Sequence, residues 1–174
     1  ANERLPQNGN ALDLGTGSGA VAVTLAHLRP DASLTATDIS PEALQIAERN
    51  AARHQSRVTF IRSDWYTEIN GVFDLIVSNP PYIAAGDPHL SQGDLRFEPS
   101  GALTDNADGL QAIEAIISGA PEHLKPGGWL LLEHGYDQAA SVRQRFENDA
   151  WTEIGSWRDL AGIERVSGAR LRLL

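Results

Sequence analysis

Two short runs in this 174-residue chain place chemistry-bearing groups at the ends of apolar stretches. The first is Gly15-Thr16-Gly17-Ser18-Gly19, between Asn10-Ala11-Leu12-Asp13-Leu14 and a helically periodic segment from Ala20 to Leu28. Glycines between a strand and a helix permit a sharp turn. They also let a ligand approach the backbone N–H groups at the helix N-terminus. With Ala20 the run satisfies the dinucleotide pattern G-x-G-x-x-G/A. Alone, it does not separate a nicotinamide cofactor from S-adenosylmethionine, and a plain turn also fits. Asp13 favours S-adenosylmethionine, because a carboxylate there attracts the cofactor's ammonium and would repel a pyrophosphate.

The second run is Ser78-Asn79-Pro80-Pro81-Tyr82, which follows the apolar Phe73-Asp74-Leu75-Ile76-Val77. Consecutive prolines lack N–H groups and fix φ, so the strand must stop at Asn79. An amide side chain and two carbonyls are then held rigidly at a strand's C-terminal end, where open α/β sheets bind ligands. Such acceptors suit a substrate that offers an NH2 group. The same residues also read as a strand followed by a proline-stiffened turn.

Three further residues extend the first site. Asp38 ends a second strand, Ser33 to Thr37, about 20 residues beyond the glycines, placed to accept from both ribose hydroxyls. Asp64 and Trp65 end a third strand, Arg57 to Ile61. A carboxylate there can accept from an adenine amino group, and an indole can cover the adenine ring. An ordinary loop carboxylate and simple core packing are the alternatives for Asp38 and Trp65. The five histidines, His27, His54, His89, His123 and His134, show no metal-binding spacing. His27 and His54 read as solvated helix-end residues, and His123 likewise falls in a helix's last turn.

The elements that must position these groups alternate strand and helix. Ser40-Pro41-Glu42 opens a second helix with a Ser N-cap and a proline at the first position. A long polar stretch runs from Ile83 to about Ala107, and a helix from Leu110 to Leu124 ends at Lys125-Pro126-Gly127-Gly128. Trp129 to Glu133 reads as a buried strand, Asp137 to about Asn148 as a helix, and Trp151–Trp157 and Ala169–Leu173 as two final strands. The pattern predicts one α/β domain over 10–174, a three-layer sandwich around a mostly parallel sheet with an antiparallel edge hairpin. Residues 1–9 read as the end of a linker.

Composition bounds the function. No apolar run approaches a membrane span, and no signal peptide opens the chain. Cysteine is absent, which is compatible with a reducing cytosol and excludes thiolate chemistry. A net charge of −9 argues against nucleic acid as the main partner. The lack of any methionine suggests a processed chain or a piece of a longer one.

Asp13-Leu14-Gly15-Thr16-Gly17-Ser18-Gly19 resembles the first motif of class I S-adenosylmethionine-dependent methyltransferases, and Asn79-Pro80-Pro81-Tyr82 the fourth motif of their amino-methylating members. Asp87-Pro88-His89-Leu90 and Gly93-Asp94-Leu95-Arg96-Phe97-Glu98-Pro99 resemble a segment of the HemK/PrmC enzymes, the peptide chain release factor N5-glutamine methyltransferases. Ser63-Asp64-Trp65, Leu131-Leu132-Glu133-His134-Gly135 and Glu164-Arg165-Val166 agree in order. The resemblance implies a seven-stranded Rossmann-like fold and cytoplasmic methylation of the Gly-Gly-Gln glutamine of release factors. It makes Gly15, Thr16, Gly17, Ser18, Gly19, Asp13, Asp38, Asp64, Trp65 and Asn79 the cofactor residues. Asn79, Pro80, Pro81 and Tyr82 become the acceptor residues, with Tyr82 packing over the substrate amide and Pro81 stiffening the turn. The family's N-terminal helical domain has no counterpart in this sequence. A nucleic-acid amino-methyltransferase using the same tetrad is the alternative, and a nicotinamide-dependent oxidoreductase would leave the tetrad unexplained.

Overall fold

The sheet grows in both directions from its first strand, β1 (Asn10–Leu14), in a computed structural model that describes residues 1–82 and 109–173. The other strands are β2 (Ser33–Asp38), β3 (Val58–Arg62), β4 (Phe73–Ser78), β5 (Leu124–Glu133), β6 (Trp151–Arg158) and β7 (Glu164–Leu171). The helices are α1 (Ala20–Leu28), α2 (Pro41–Arg53), α3 (Gln111–His123) and α4 (Ala139–Arg145). Strand order is β3-β2-β1-β4-β5-β7-β6. The first five strands in that order are parallel, and β7 is antiparallel to both β5 and β6. The seven-stranded sheet and its edge hairpin match the expectation. The segments Asp87–Leu90 and Gly93–Pro99, with His89, lie outside the described residues.

Strand alternation sends successive side chains to opposite faces. Leu12, Leu14, Ile76, Leu130 and Leu132 pack with Ile113, Ile116 and Val142 from α3 and α4. Ala11, Leu75, Val77, Trp129 and Leu131 pack on the other face with Leu25 and Ala26 of α1. Burial on both faces explains why these strands read as continuous apolar runs. α2 begins as its sequence predicts, with the Ser40 hydroxyl accepting from Ala43 N at 3.1 Å and Pro41 in the first position. Ahead of β1, Leu5 is buried, Arg4 lies 4.1 Å over the Trp129 ring, and Arg29 donates to the Leu5 and Pro6 carbonyls.

Three boundaries differ from the sequence expectation. β5 starts at Leu124 rather than Trp129, because the ladder pairs Phe73 with Leu124, then slips across Lys125–Gly128 to pair Leu75 with Trp129. The Lys125–Asp74 ion pair, at 2.7 Å, holds that bulge on β4. α4 stops at Arg145, after which buried Phe146 meets Trp151 edge-on at 5.2 Å and the chain turns into β6. β7 starts at Glu164 rather than Ala169. Ser167 and Gly168 are weak strand formers, but a Cβ on Gly168 would stand 2.2 Å from the Leu130 carbonyl oxygen, so the ladder needs glycine there.

Candidate functional site

Register lines up the strand ends. Leu14 pairs with Thr37 and Ser78, Asp38 with Arg62, and Ser78 with Leu132. The next residues along therefore form a row, Arg62, Asp38, Gly15, Asn79 and Glu133, at the C-terminal edge of the parallel strands. At about 4.8 Å per strand gap the row spans roughly 19 Å. It crosses the point between β1 and β4 where strand order reverses, the place open α/β sheets use for ligands. The Ser78 hydroxyl donates to the Leu14 carbonyl at 2.7 Å and ties the tetrad's strand to the glycine turn's strand.

The glycine turn is built from left-handed residues. Gly15, Gly17 and Gly19 have φ of 65°, 57° and 82°. Nothing lies within 4 Å of where a Cβ on Gly17 would stand, so the turn opens on space there. Gly19, by contrast, packs so close to α2 that its Cβ would lie 2.9 Å from that of Ala47. Thr16 N donates to the Thr37 carbonyl at 2.8 Å, and Asn50 Nδ2 donates to the Ser18 carbonyl at 2.8 Å.

Asp13 sits beneath this turn, 2% exposed. Its Oδ2 accepts from the Thr16 hydroxyl at 2.7 Å and from Ala22 N at 3.1 Å, so it braces both the turn and the first turn of α1. Burial pushes its pKa up to about 7, against those two hydrogen bonds, and the Asp38 charge adds to the rise. This bracing role was not read from the sequence; its signal was a carboxylate three residues before a threonine and nine before a helical amide.

Asp38 is half-buried, with Oδ2 accepting from Gly17 N and Oδ1 from Ser40 N, both at 2.9 Å. Two backbone donors thus fix the carboxylate beside the opening at Gly17, and each oxygen keeps a lone pair for a further donor. Ile39, immediately beyond, is apolar yet 60% exposed on the same rim. Its neighbour Ser63 donates its amide to the Asp38 carbonyl at 3.0 Å, and its hydroxyl donates to the Trp65 carbonyl at 2.8 Å. Trp65 is held at φ 45°, a left-handed conformation costly for a residue with a Cβ. Its ring lies against Gly15, 3.3 Å from where a Cβ would be. The indole is half-buried and packs partly against the core, so both sequence readings of Trp65 describe part of its surroundings. Asp64 is exposed, and its carbonyl caps the turn at Thr67.

In the tetrad, Asn79 is exposed, Pro80 buried, and Pro81 and Tyr82 half-buried. Neither the Asn79 side chain nor the Pro80 carbonyl has a hydrogen-bond partner among the described residues. The Tyr82 hydroxyl lies 3.5 Å from Glu133 Oε1, and its carbonyl accepts from Gln138 Nε2 at 3.0 Å. The sequence reading missed Gln138, whose only local signal is its place before α4, 56 residues from Tyr82.

One histidine departs from its sequence reading. His123 is not a solvated helix-end residue: its ring stacks on Tyr66 at 4.5 Å and 5°, with Nδ1 buried. His134, singled out in the sequence only by the Leu131–Gly135 resemblance, is fully buried, and burial lowers its pKa. Among the described residues no group of three or more His, Asp or Glu could hold a metal, and no helix is long and apolar enough to cross a membrane.

The release factor glutamine methyltransferase of Bordetella pertussis is 56% identical over 162 residues, 92% of this chain and 60% of that protein. The enzyme of the same name from Neisseria gonorrhoeae is 54% identical over 167 residues, 94% of this chain and 61% of that protein. The chain therefore spans about three-fifths of the length of these relatives. A methyltransferase from Pyrococcus furiosus superposes with a TM-score of 0.74 at 22% identity, over 98% of this chain and 78% of that one, which shows the shared fold. The row of strand ends, with the glycine turn beside an Asn-Pro-Pro-Tyr tetrad, falls mostly within residues 2–94, where the model of the methyltransferase small domain matches. The chain belongs to that family.

Proposed function

We propose that this chain transfers a methyl group from S-adenosylmethionine to the side-chain amide nitrogen of the glutamine in the Gly-Gly-Gln motif of peptide chain release factors, in the cytoplasm. Residues 10–174 form the methyltransferase domain. One observation carries the reading: the Leu14–Ser78 register pair, locked by the Ser78 hydroxyl, puts the glycine turn and Asn79 side by side. Identity above 50% to two release factor glutamine methyltransferases supports the choice of acceptor.

The residues present fit the cofactor. Open space at Gly17, the oriented Asp38 carboxylate and the indole over Gly15 lie along one rim. Asp38 would hold the ribose hydroxyls, and Asp64 and Trp65 the adenine. Gly15, Thr16, Gly17, Ser18 and Gly19 would form the floor, with Asp13 beneath it and Asn79 at the acceptor end. When bound, the cofactor supplies an electrophilic methyl group on a sulfonium.

A glutamine amide nitrogen is a poor nucleophile, because its lone pair is delocalised into the carbonyl. The Asn79 side-chain oxygen and the Pro80 carbonyl, both without partners among the described residues, accept its two N–H bonds. They orient the amide and stabilise the positive charge that grows on nitrogen as the N–C bond forms and the S–C bond breaks. Pro81 keeps those acceptors rigid, and the Tyr82 ring packs over the amide. The nitrogen's proton then leaves to water, so no strong base is needed.

Methylation of nucleic-acid amino groups is the rival. The net charge of −9 weighs against it. Labelled methyl transfer, measured in parallel on a release factor, duplex DNA and ribosomal RNA, tests the choice. Label in the release factor alone supports the proposal, and label in either nucleic acid alone sinks it.

A further inference from the structure

We infer that Gln138 is a positioning residue for the acceptor site, its single amide setting where Tyr82 stands. The inference rests on the acceptor role proposed above for the tetrad. Gln138 precedes α4 and is half-buried, and three of the four hydrogen-bonding positions of its amide are spent on backbone far apart in sequence. Oε1 accepts from Gly135 N at 2.8 Å, and Nε2 donates to the Tyr82 carbonyl at 3.0 Å and toward the Gly109 carbonyl at 3.4 Å. One planar group thus joins the end of the tetrad, the start of the chain leading into α3, and the turn after β5.

Two glycines make this approach feasible. A Cβ on Gly109, which has φ 77°, would stand 2.3 Å from the Tyr82 carbonyl oxygen and 3.0 Å from Gln138 Nε2. A Cβ on Gly135 would stand 3.0 Å from Gln138 Oε1. Close packing of this kind fixes the amide's position and leaves little room for a different rotamer.

Gly135, in turn, is held by a directed chain of hydrogen bonds. Arg143 Nη1 donates to Ser156 Oγ at 2.6 Å, Ser156 Oγ lies 2.6 Å from Ser167 Oγ, and Ser167 Oγ lies 2.8 Å from His134 Nε2. A carbonyl only accepts, so Nδ1 carries the imidazole proton and donates it to the Gly135 carbonyl at 2.8 Å. Nε2 of the neutral ring then accepts from the Ser167 hydroxyl, which in turn accepts from Ser156, and Arg143, a donor only, closes the chain. A buried polar chain satisfied in one direction holds one geometry, and here it holds the residue that orients Gln138.

Two variants of near-equal length separate positioning from mere folding. Gln138→Met removes all three bonds. Gln138→Glu keeps an acceptor for Gly135 N but turns an anionic oxygen on the Tyr82 and Gly109 carbonyls. The expected effect on release factor methylation is a KM for the release factor raised about tenfold by Met and further by Glu, with kcat lowered. S-adenosylmethionine Kd should stay within about twofold in both. Amide exchange at Gly135 should show the opposite order, accelerated in Met and close to wild type in Glu. Wild-type KM and kcat in both variants would overturn the inference, as would equal losses in cofactor Kd or unchanged Gly135 exchange in Met. Absence of transfer by the wild-type chain itself would instead sink the reaction, before any variant is compared.

Discussion

At the scale of single residues, the account depends on groups held by backbone rather than by other side chains. Asn79 follows a strand end that prolines prevent from extending, and the contribution proposed for it is orientation of the substrate nitrogen. Asn79→Ala should lower kcat about 100-fold or more while changing S-adenosylmethionine affinity little; single-turnover rates beside calorimetric binding read the two separately. Asp13 has a different signature. Its folded pKa of about 7 lies above its unfolded value of 3.8, so the folded state holds a proton that the unfolded chain gives up. That contribution is complete below the unfolded pKa and is lost as pH rises through 7. His134 acts in the opposite sense, because its lowered pKa costs stability as pH falls below 6.5. Urea unfolding of wild type and Asp13→Asn across this window isolates the first effect: the wild type should lose stability relative to Asp13→Asn as pH rises from about 4 to about 7. A constant difference between the two would show that Asp13 does not titrate in its buried position.

The elements carry the geometry. Strand, turn and helix around the glycines were legible because glycine, proline and capping preferences act over three or four residues. The end of β4 was legible for the same reason, since Pro80 and Pro81 cannot extend a ladder. Features that depend on distant partners were not legible. Gly168 enters β7 because the Leu130 carbonyl comes too close for a Cβ, and Gln138 matters because Tyr82 lies beside it. Neither relation leaves a local trace. The strain in Trp65 was hidden too, since no spacing announces a left-handed tryptophan. Packing of α1 on α2 gives a direct test. Gly19→Ala combines a φ of 82° with a Cβ 2.9 Å from that of Ala47, so it should cost about 2 kcal/mol or more in urea unfolding. Ser78→Ala should cost about 1 kcal/mol and, by freeing β4 from β1, lower methyl transfer more than cofactor binding.

For the whole molecule, the parallel register does the assembling. Five strand ends come into one row because each strand pairs in step with its neighbour, and strand order reverses between β1 and β4, the position that open α/β sheets use for ligands. The candidate cofactor residues other than Asn79 lie on the β1–β2–β3 side of that reversal and the acceptor residues on the β4–β5 side, so the two substrates would meet at the Gly15–Asn79 boundary. The order of motifs along the chain revealed which chemistry they could perform, whereas their adjacency emerged only from the fold. Mass spectrometry of a release factor incubated with this chain and S-adenosylmethionine tests that meeting most directly. The account predicts a gain of one methyl group, localised by fragmentation to the side-chain nitrogen of the Gly-Gly-Gln glutamine and lost with Asn79→Ala. A methyl group on any other residue, or on the same glutamine at an undiminished rate with Asn79→Ala, would contradict it.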